Sequence, residues 1–413
     1  MHTKVPFYRP ELGESEIDEV VDALRSGWLT TGPRVKRFEQ EFSAAVEAPC
    51  AVAMNSCTAA LHLAVHALGL HPGDGVLVPA MTFAATAEVV RYEGGIPILI
   101  DCDPSTLNMD LLHAERTLCR IQSGGALAEL PTNLPVVGII PVHVGGMMMN
   151  VDDIKAFAAR HRLWVVEDAA HAFPAAWRRS PAEPWQRCGQ QTAAVSCFSF
   201  YANKTITTGE GGMAVTGDAE LAARIRLLSL HGLSQDAWDR YSGHGSWDYR
   251  IVAPGYKYNM TDIAAAIGIH QLARAEDMRR AREAIAHEYR ERLADIAEIE
   301  LPTIDANRIH AWHLFPIRLL LEALAMGRDR FIQELHQEGV SCSVHWRPLH
   351  LHPYYEQTFG WRPADLPVAS EVWTRLVSLP LFSAMRREDI EAVVDAVRTV
   401  CARASGVRLA NTR

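Results

Sequence analysis

What this sequence of 413 residues lacks narrows the reading first. It holds no stretch of about 18 apolar residues, the length a helix needs to cross a bilayer, so no membrane span is expected. Its start, MHTKVPFYRPELGESE, has no apolar segment of the kind found in secretory leaders. The eight cysteines are scattered, with no CxxC pair. That spacing supports neither a disulfide framework nor a metal site, and it points to a reducing cytoplasm. No block of basic residues stands out and the formal net charge is −9, which argues against nucleic acid or an anionic membrane as the main partner. No internal repeat or low-complexity tract is apparent.

What is present is ordinary for a soluble globular chain: 48% hydrophobic and 22% charged residues. The length exceeds one typical domain. Ile17, Val20, Val21 and Leu24 form a helical stripe that Gly27 should stop, and Val35, Phe38, Phe42 and Val46 mark a second helix after Pro33. Short apolar strands then alternate with helices: Ala51–Met54, Gly75–Pro79, Ile96–Ile100, Val136–Val142 and Leu163–Val166. The alternation predicts an α/β unit, a mostly parallel sheet with helices on both faces, over residues 1–262. From Ile263 the character changes to long helices (Ile263–Leu272, Ala281–Leu293), short strands (Leu314–Leu319, Val340–Val344) and a final helix from Asp389 to Val400. Residues 263–413 are therefore expected to form a smaller α+β unit. Residues 122–133 read as a surface insertion, and 178–191 as an irregular segment bordering the active site.

The chain is read as organised around Ser196 to Met213, SCFSFYANKTITTGEGGM. An apolar segment ends in a loop with one lysine, Lys204, and glycine-rich backbone returns into a second apolar segment. A lysine between two buried strands can be desolvated, which lowers its pKa and makes its amine a nucleophile toward aldehydes. The alternative is a solvated loop lysine. A second stretch, LWVVEDAAHA, carries Glu167, Asp168 and His171 at the end of a buried strand, where open α/β sheets bind ligands. A carboxylate there, 36 residues before such a lysine, meets the needs of pyridoxal 5'-phosphate, whose ring nitrogen must stay protonated. The rival for Asp168 is a helix N-cap ahead of Ala169 and Ala170.

Asn55-Ser56-Cys57-Thr58 lies between a strand and a helix. Backbone N–H groups there, with the Ser56 and Thr58 hydroxyls, could bind a phosphate, or the same hydroxyls could simply cap the helix. Phe83, just past a strand end, could stack on a flat ring or sit in the core.

These stretches resemble the DegT/DnrJ/EryC1/StrS family of sugar aminotransferases, which have the type I aminotransferase fold. The resemblance extends through GWLTTGPRVKRFE, NSCTAALHLAVHALGLHPGDGVLVPAMTFAATAE, VEDAAHA, SFYANKTITTGEGG, RLLSLHGLSQDAWDR, APGYKYNMTDIAAAIG, HAWHLFPIR and VHWRPLHLHPYY. It implies that Lys204 holds pyridoxal phosphate as a Schiff base and moves protons. It implies that Asp168 pairs with the pyridine nitrogen and that His171 lies by the cofactor's phenolic oxygen or ring edge. Ser56, Thr58 and Ser199 would bind the phosphate, with Cys57 where the family usually has glycine, and Phe83 would cover the ring. Asn259 in GYKYN would reach the phosphate of a neighbouring subunit, which implies a homodimer with shared sites.

The family reaction moves the amine of L-glutamate, leaving 2-oxoglutarate, onto a sugar ketone carried on a nucleotide diphosphate. The blocks HGLSQDAWDR, GYKYN and HAWHLF look most like the enzymes that aminate a UDP-4-keto-pentose for lipid A modification. His231, Arg250 and His345 are expected at the rim. The family's sugar 3-dehydratases replace the Schiff-base lysine by histidine, and Lys204 stands against that reading. A non-catalytic regulator would be expected to have lost Asp168 or Lys204. A keto-cyclitol or antibiotic precursor fits the residues as an alternative acceptor.

Overall fold

The computed structural model describes residues 5–233 and 250–411, the side chains of 405–411 excepted. Of the HGLSQDAWDR block, residues 234–240 lie outside the described residues. Helices α1 (Glu14–Ser26) and α2 (Pro33–Ala45) lead into β1 (Cys50–Met54). Helix and strand then alternate through α3 (Cys57–Ala67), β2 (Gly75–Pro79), α4 (Ala85–Tyr92), β3 (Ile96–Ile100), α5 (Leu111–Gln122), β4 (Val136–Ile139), α6 (Val151–His161) and β5 (Trp164–Asp168). The short β6 (Ala176–Trp177) and β7 (Gln186–Arg187) precede β8 (Val195–Ser199), β9 (Gly212–Thr216) and α7 (Ala219–Ser229). After them come α8 (Asp262–Ala273), α9 (Ala275–Leu293), β10 (Ile299–Glu300), β11 (Arg308–Ile309), β12 (Phe315–Leu319), α10 (Arg328–Gln337), α11 (Pro353–Phe359), α12 (Pro367–Trp373), β13 (Leu376–Leu379) and α13 (Arg387–Asn411).

Seven strands form one sheet in the order β1-β9-β8-β5-β4-β2-β3. From β8 to β3 every pair is parallel, and β9 alone runs antiparallel to both its neighbours. Alternation along a strand sends side chains to opposite faces. In β1, Val52 and Met54 join a core with α3, whereas Ala51 and Ala53 join another with Phe38 of α2 and Ile269 of α8. Both faces are thus covered by helices, as the alternating pattern implied.

A second, antiparallel sheet, β10-β12-β13, packs with α9, α10 and α13 around Ile285, Phe315, Phe331 and Val397. Helix α8 shares its core with α2, and the separate C-terminal core begins at Ile285 in α9. Residues Tyr355, Phe359 and Trp361 return to the core of the large sheet.

Some expectations need correction. The α1 stripe does not face the core: Ile17 and Leu24 are exposed, while Glu16 and Ala23 are buried. Glu16 is held inward by Arg274 at 2.5 Å and Gln271 at 2.7 Å. Val340–Val344 is not a strand. Val340 bridges Val5, Ser343 bridges Ser378, and the chain then turns away. Residues 122–133 are not wholly on the surface, because Leu127 and Leu130 are buried in the large core.

The Gly-Glu-Gly-Gly run has a packing reason. Gly212 opens β9 directly against the backbone between β1 and α3, and a Cβ there would run into the Ser56–Cys57 peptide. Backbone cannot move aside as a side-chain tip can. We expect Gly212→Ala to cost about 1–3 kcal/mol, the usual range for overpacking, and to lower the thermal unfolding midpoint. An unchanged midpoint would show that this contact yields freely.

Candidate active site

The carboxyl ends of the parallel strands converge on a cavity of about 540 Å³. Ser56, Cys57 and Thr58 follow β1, Phe83 follows β2, Asp168 ends β5 with His171 after it, and Ser199 ends β8 with Lys204 after it; all of these line the cavity. The opposite wall comes from the C-terminal part through His313, Val344, His345 and Trp346. The segment 178–191, expected at the border, contributes none of these residues, since β7 pairs with β6 and β6 with β11.

Lys204 ends a tight turn in which its N–H bonds the Tyr201 carbonyl at 2.9 Å. The side chain is half-buried and lines the cavity. Burial lowers its pKa to about 8, against the opposing pull of Cys57 and Asp168. A solvated loop lysine would not show this environment.

Asp168 is buried, and no helix begins after it, so it caps none. Its Oδ2 accepts from the Thr86 hydroxyl at 2.7 Å and its Oδ1 from the Ala170 N–H at 3.1 Å. Thr86 in turn pairs with Thr82 at 2.6 Å. Burial raises the Asp168 pKa, while Thr86, Ala170 and Lys204 hold it down. Neither threonine was among the expected residues. Their spacing of four, at the start of a helix beside a strand end, was the available signal.

His171 stacks on Trp346, with ring centroids 5.0 Å apart, and lies 4.1 Å from the His313 ring. Its Nδ1 accepts the Gly145 N–H at 3.3 Å. The proton of the neutral ring therefore sits on Nε2. Burial, and then Lys204 and His345, push its pKa well below the ordinary histidine value.

At the other end, Ser56 caps α3 by accepting from the Ala59 N–H at 3.1 Å, so the capping reading holds for this residue. The Cys57 thiol turns toward the Cys197 carbonyl, at 3.6 Å. Cys57 lines the cavity between Ser56 and Thr58. Phe83 is 64% exposed at the wall and is not a core residue.

Asn259 does not line the cavity of its own chain. It donates to the Thr31 hydroxyl at 2.7 Å, accepts from Lys257, and sits opposite Met54 at the edge of β1. Nor does it cap α8, a role Thr261 fills by accepting from the Ala264 N–H at 3.2 Å. Of the expected rim residues, His345 lines the cavity, whereas His231 and Arg250 are exposed outside it.

His143, Glu167 and Cys188 are buried together beneath this floor. His143 Nδ1 accepts the Met149 N–H at 3.2 Å, which puts the ring proton on Nε2, 3.5 Å from Glu167. A protonated nitrogen cannot ligate a metal, so the trio reads as a buried packing cluster in which His143 faces the Glu167 carboxylate.

The cavity fits pyridoxal phosphate. Its lining combines hydroxyls beside a helix N-terminus, a buried carboxylate, an exposed aromatic face and a lysine amine. Asn203 Oδ1 and His313 Nδ1, on residues of the wall, are buried without a hydrogen-bond partner.

The pattern of the DegT/DnrJ/EryC1/StrS aminotransferase family matches residues 10–398. Among relatives, the chain is 43% identical over 397 residues to the spore coat polysaccharide biosynthesis protein SpsC of Bacillus subtilis, covering 96% of this chain and 97% of that one. It is 42% identical over 399 residues to an uncharacterized protein of Methanocaldococcus jannaschii, covering 96% and 97%. A Streptococcus pneumoniae protein described as a sugar aminotransferase superposes in its PMP form with a TM-score of 0.86 at 31% identity, covering 97% of this chain and 100% of that one. Its PLP form gives a TM-score of 0.85 at 32% identity, covering 97% and 99%.

The electrostatics carry a prediction. Asp168 raises the Lys204 pKa, so removing its charge disfavours the ammonium and lowers that pKa below about 8. The rate at which the cofactor-free protein captures pyridoxal phosphate should rise at lower pH in Asp168→Asn than in wild type. Superimposable pH–rate curves would mean the two groups do not interact.

Proposed function

The chain belongs to the DegT/DnrJ/EryC1/StrS aminotransferase family, and we propose that it moves the amino group of L-glutamate onto a 4-keto sugar carried on a nucleotide diphosphate. It is a pyridoxal-phosphate-dependent sugar aminotransferase, as its family and structural neighbours are. The observation supporting the cofactor chemistry is the convergence of Lys204, Asp168 and the hydroxyls of Ser56, Thr58 and Ser199 on one cavity. Bound there, the cofactor supplies an aldehyde that bonds amines and a ring that accepts the electron pair of a breaking C–H bond.

Each residue then has a task. Lys204 offers an amine that is half neutral near pH 8 as the anchor. With the cofactor bound, the same amine would take a proton from the substrate carbon and return one. Asp168, held in place by Thr86, keeps a positive charge on the ring nitrogen. The N–H groups at the start of α3, with Ser56, Thr58 and Ser199, hold the phosphate. Phe83 covers the ring, and His171 donates from Nε2 because Gly145 occupies Nδ1. In the first half, glutamate gives its amine and leaves as 2-oxoglutarate. In the second, the sugar ketone receives it.

The nucleotide diphosphate gives binding energy remote from the reacting carbon. A pentose on UDP is the acceptor we favour, on the GYKYN and HAWHLF blocks. The Bacillus relative is named for spore coat polysaccharide biosynthesis, which supports a product destined for a polysaccharide.

We further propose a homodimer in which Asn259 acts across the interface. Its place at the sheet edge, outside its own cavity, supports this, as do the exposed Ile17, Leu24, Ile251 and Val252. An apolar helix face left in water is a recognised mark of an interaction surface. Light scattering should find at least a dimer, and a fully active monomer would refute the shared site.

Two measurements test the chemistry. Lys204→Ala should lose turnover while the phosphate contacts still retain some cofactor; wild-type transamination by that variant would overturn the assignment. Amine transfer from glutamate should be efficient on nucleotide 4-keto sugars and poor on free ketoses. Equal efficiency on both would remove the nucleotide from the proposal.

A further inference from the structure

We infer that His313 is a positioning residue for Lys204, its Nε2 accepting a proton of the lysine amine and anchoring that amine against the C-terminal wall. This rests on Lys204 being the amine that carries the cofactor. The two nitrogens are 3.4 Å apart and His313 is buried. The turn that presents His313 is strained and heavily braced. Trp312, just before it, has φ 49°, a left-handed conformation that a bulky residue rarely adopts. Such strain persists only where the surroundings over-determine it, and it gathers at functional sites.

The braces are specific. Gly145 O accepts the His313 N–H at 2.9 Å, and Gly146 O accepts that of Ala311 at 3.0 Å. The buried Arg282 donates to the carbonyls of Trp312, at 3.2 Å, and Leu381, at 2.9 Å. The imidazole these braces place lies against the His171 ring and has its Nδ1 buried without a partner, so Lys204 is its side-chain hydrogen-bond partner among the described residues.

The charges around the pair fix the sign of its effect. Asp168 and Cys57 face the lysine from the strand ends, while His171, His345 and Arg282 face His313. Burial, then His171, Lys204, Arg282 and His345, keep His313 far below the ordinary histidine pKa, hence neutral. A neutral ring can accept from an ammonium without repelling it. Loss of that acceptor disfavours the ammonium, so the lysine should lose its proton at lower pH.

The test uses the full chain, freed of cofactor, recombining with pyridoxal phosphate across pH. The wild-type midpoint should lie near 8. In His313→Leu it should fall by about one unit, the size of one hydrogen bond to a charged group. His313→Gln, whose amide oxygen can accept, should restore the wild-type midpoint. Should the Leu variant unfold, His313→Phe keeps the ring shape without its nitrogens and is read the same way. Borohydride reduction and peptide mass spectrometry locate the captured cofactor in each protein. Cofactor on Lys204 with an unmoved midpoint overturns this inference alone. Cofactor on another residue overturns the parent reading and this inference together.

Discussion

The desolvation of one amine is the constraint on which the rest of this structure depends. Lys204 becomes a nucleophile near neutral pH only because protein atoms replace water around it. That enclosure needs four strand ends at one level and a wall from distant sequence. The parallel sheet supplies the first, since β1, β2, β5 and β8 all point their carboxyl ends the same way. The antiparallel β9 brings its amino end to that level, which is why glycine-rich backbone follows the lysine. The second half of the chain supplies the wall, through His313 and the 344–346 segment.

Asp168 works under the same constraint with the opposite risk. Burial alone would protonate it, and a neutral acid could not hold a ring nitrogen charged. Thr86 and the Ala170 N–H stabilise the carboxylate, and Lys204 adds its field. The neighbouring Glu167 meets the same problem on the other face of the strand. There His143, Ser196 and Thr192 more than offset burial and lower its pKa. Two adjacent carboxylates thus shift in opposite directions: burial outweighs the partners of Asp168, whereas those of Glu167 outweigh burial.

The parts of the site visible in the sequence were those carried by short segments at strand ends. Lys204, Asp168, Ser56 and Phe83 each sit within a few residues of an apolar run, so their placement followed from sheet topology. Thr86 was less visible because its partner is 82 residues away in sequence. His313 lay hidden for the same reason, 109 residues from Lys204. The α1 stripe misled because periodicity reports an apolar face without saying what covers it. Residues 340–344 misled because β-branched composition does not specify a partner strand. Asn259 was noticeable as a motif residue, but the sequence could not show its contact with Thr31, 228 residues away.

The returning segment around Trp361 bears on how the molecule is made. Tyr355, Phe359 and Trp361 complete the core built around β1 to β5, and Val5 joins the core around β12. During synthesis the large sheet therefore emerges from the ribosome unfinished. It waits for a helix encoded about 190 residues after β5. The first residues of the chain must wait as well, for strands made near its end. Buried side chains from each half thus complete the core of the other.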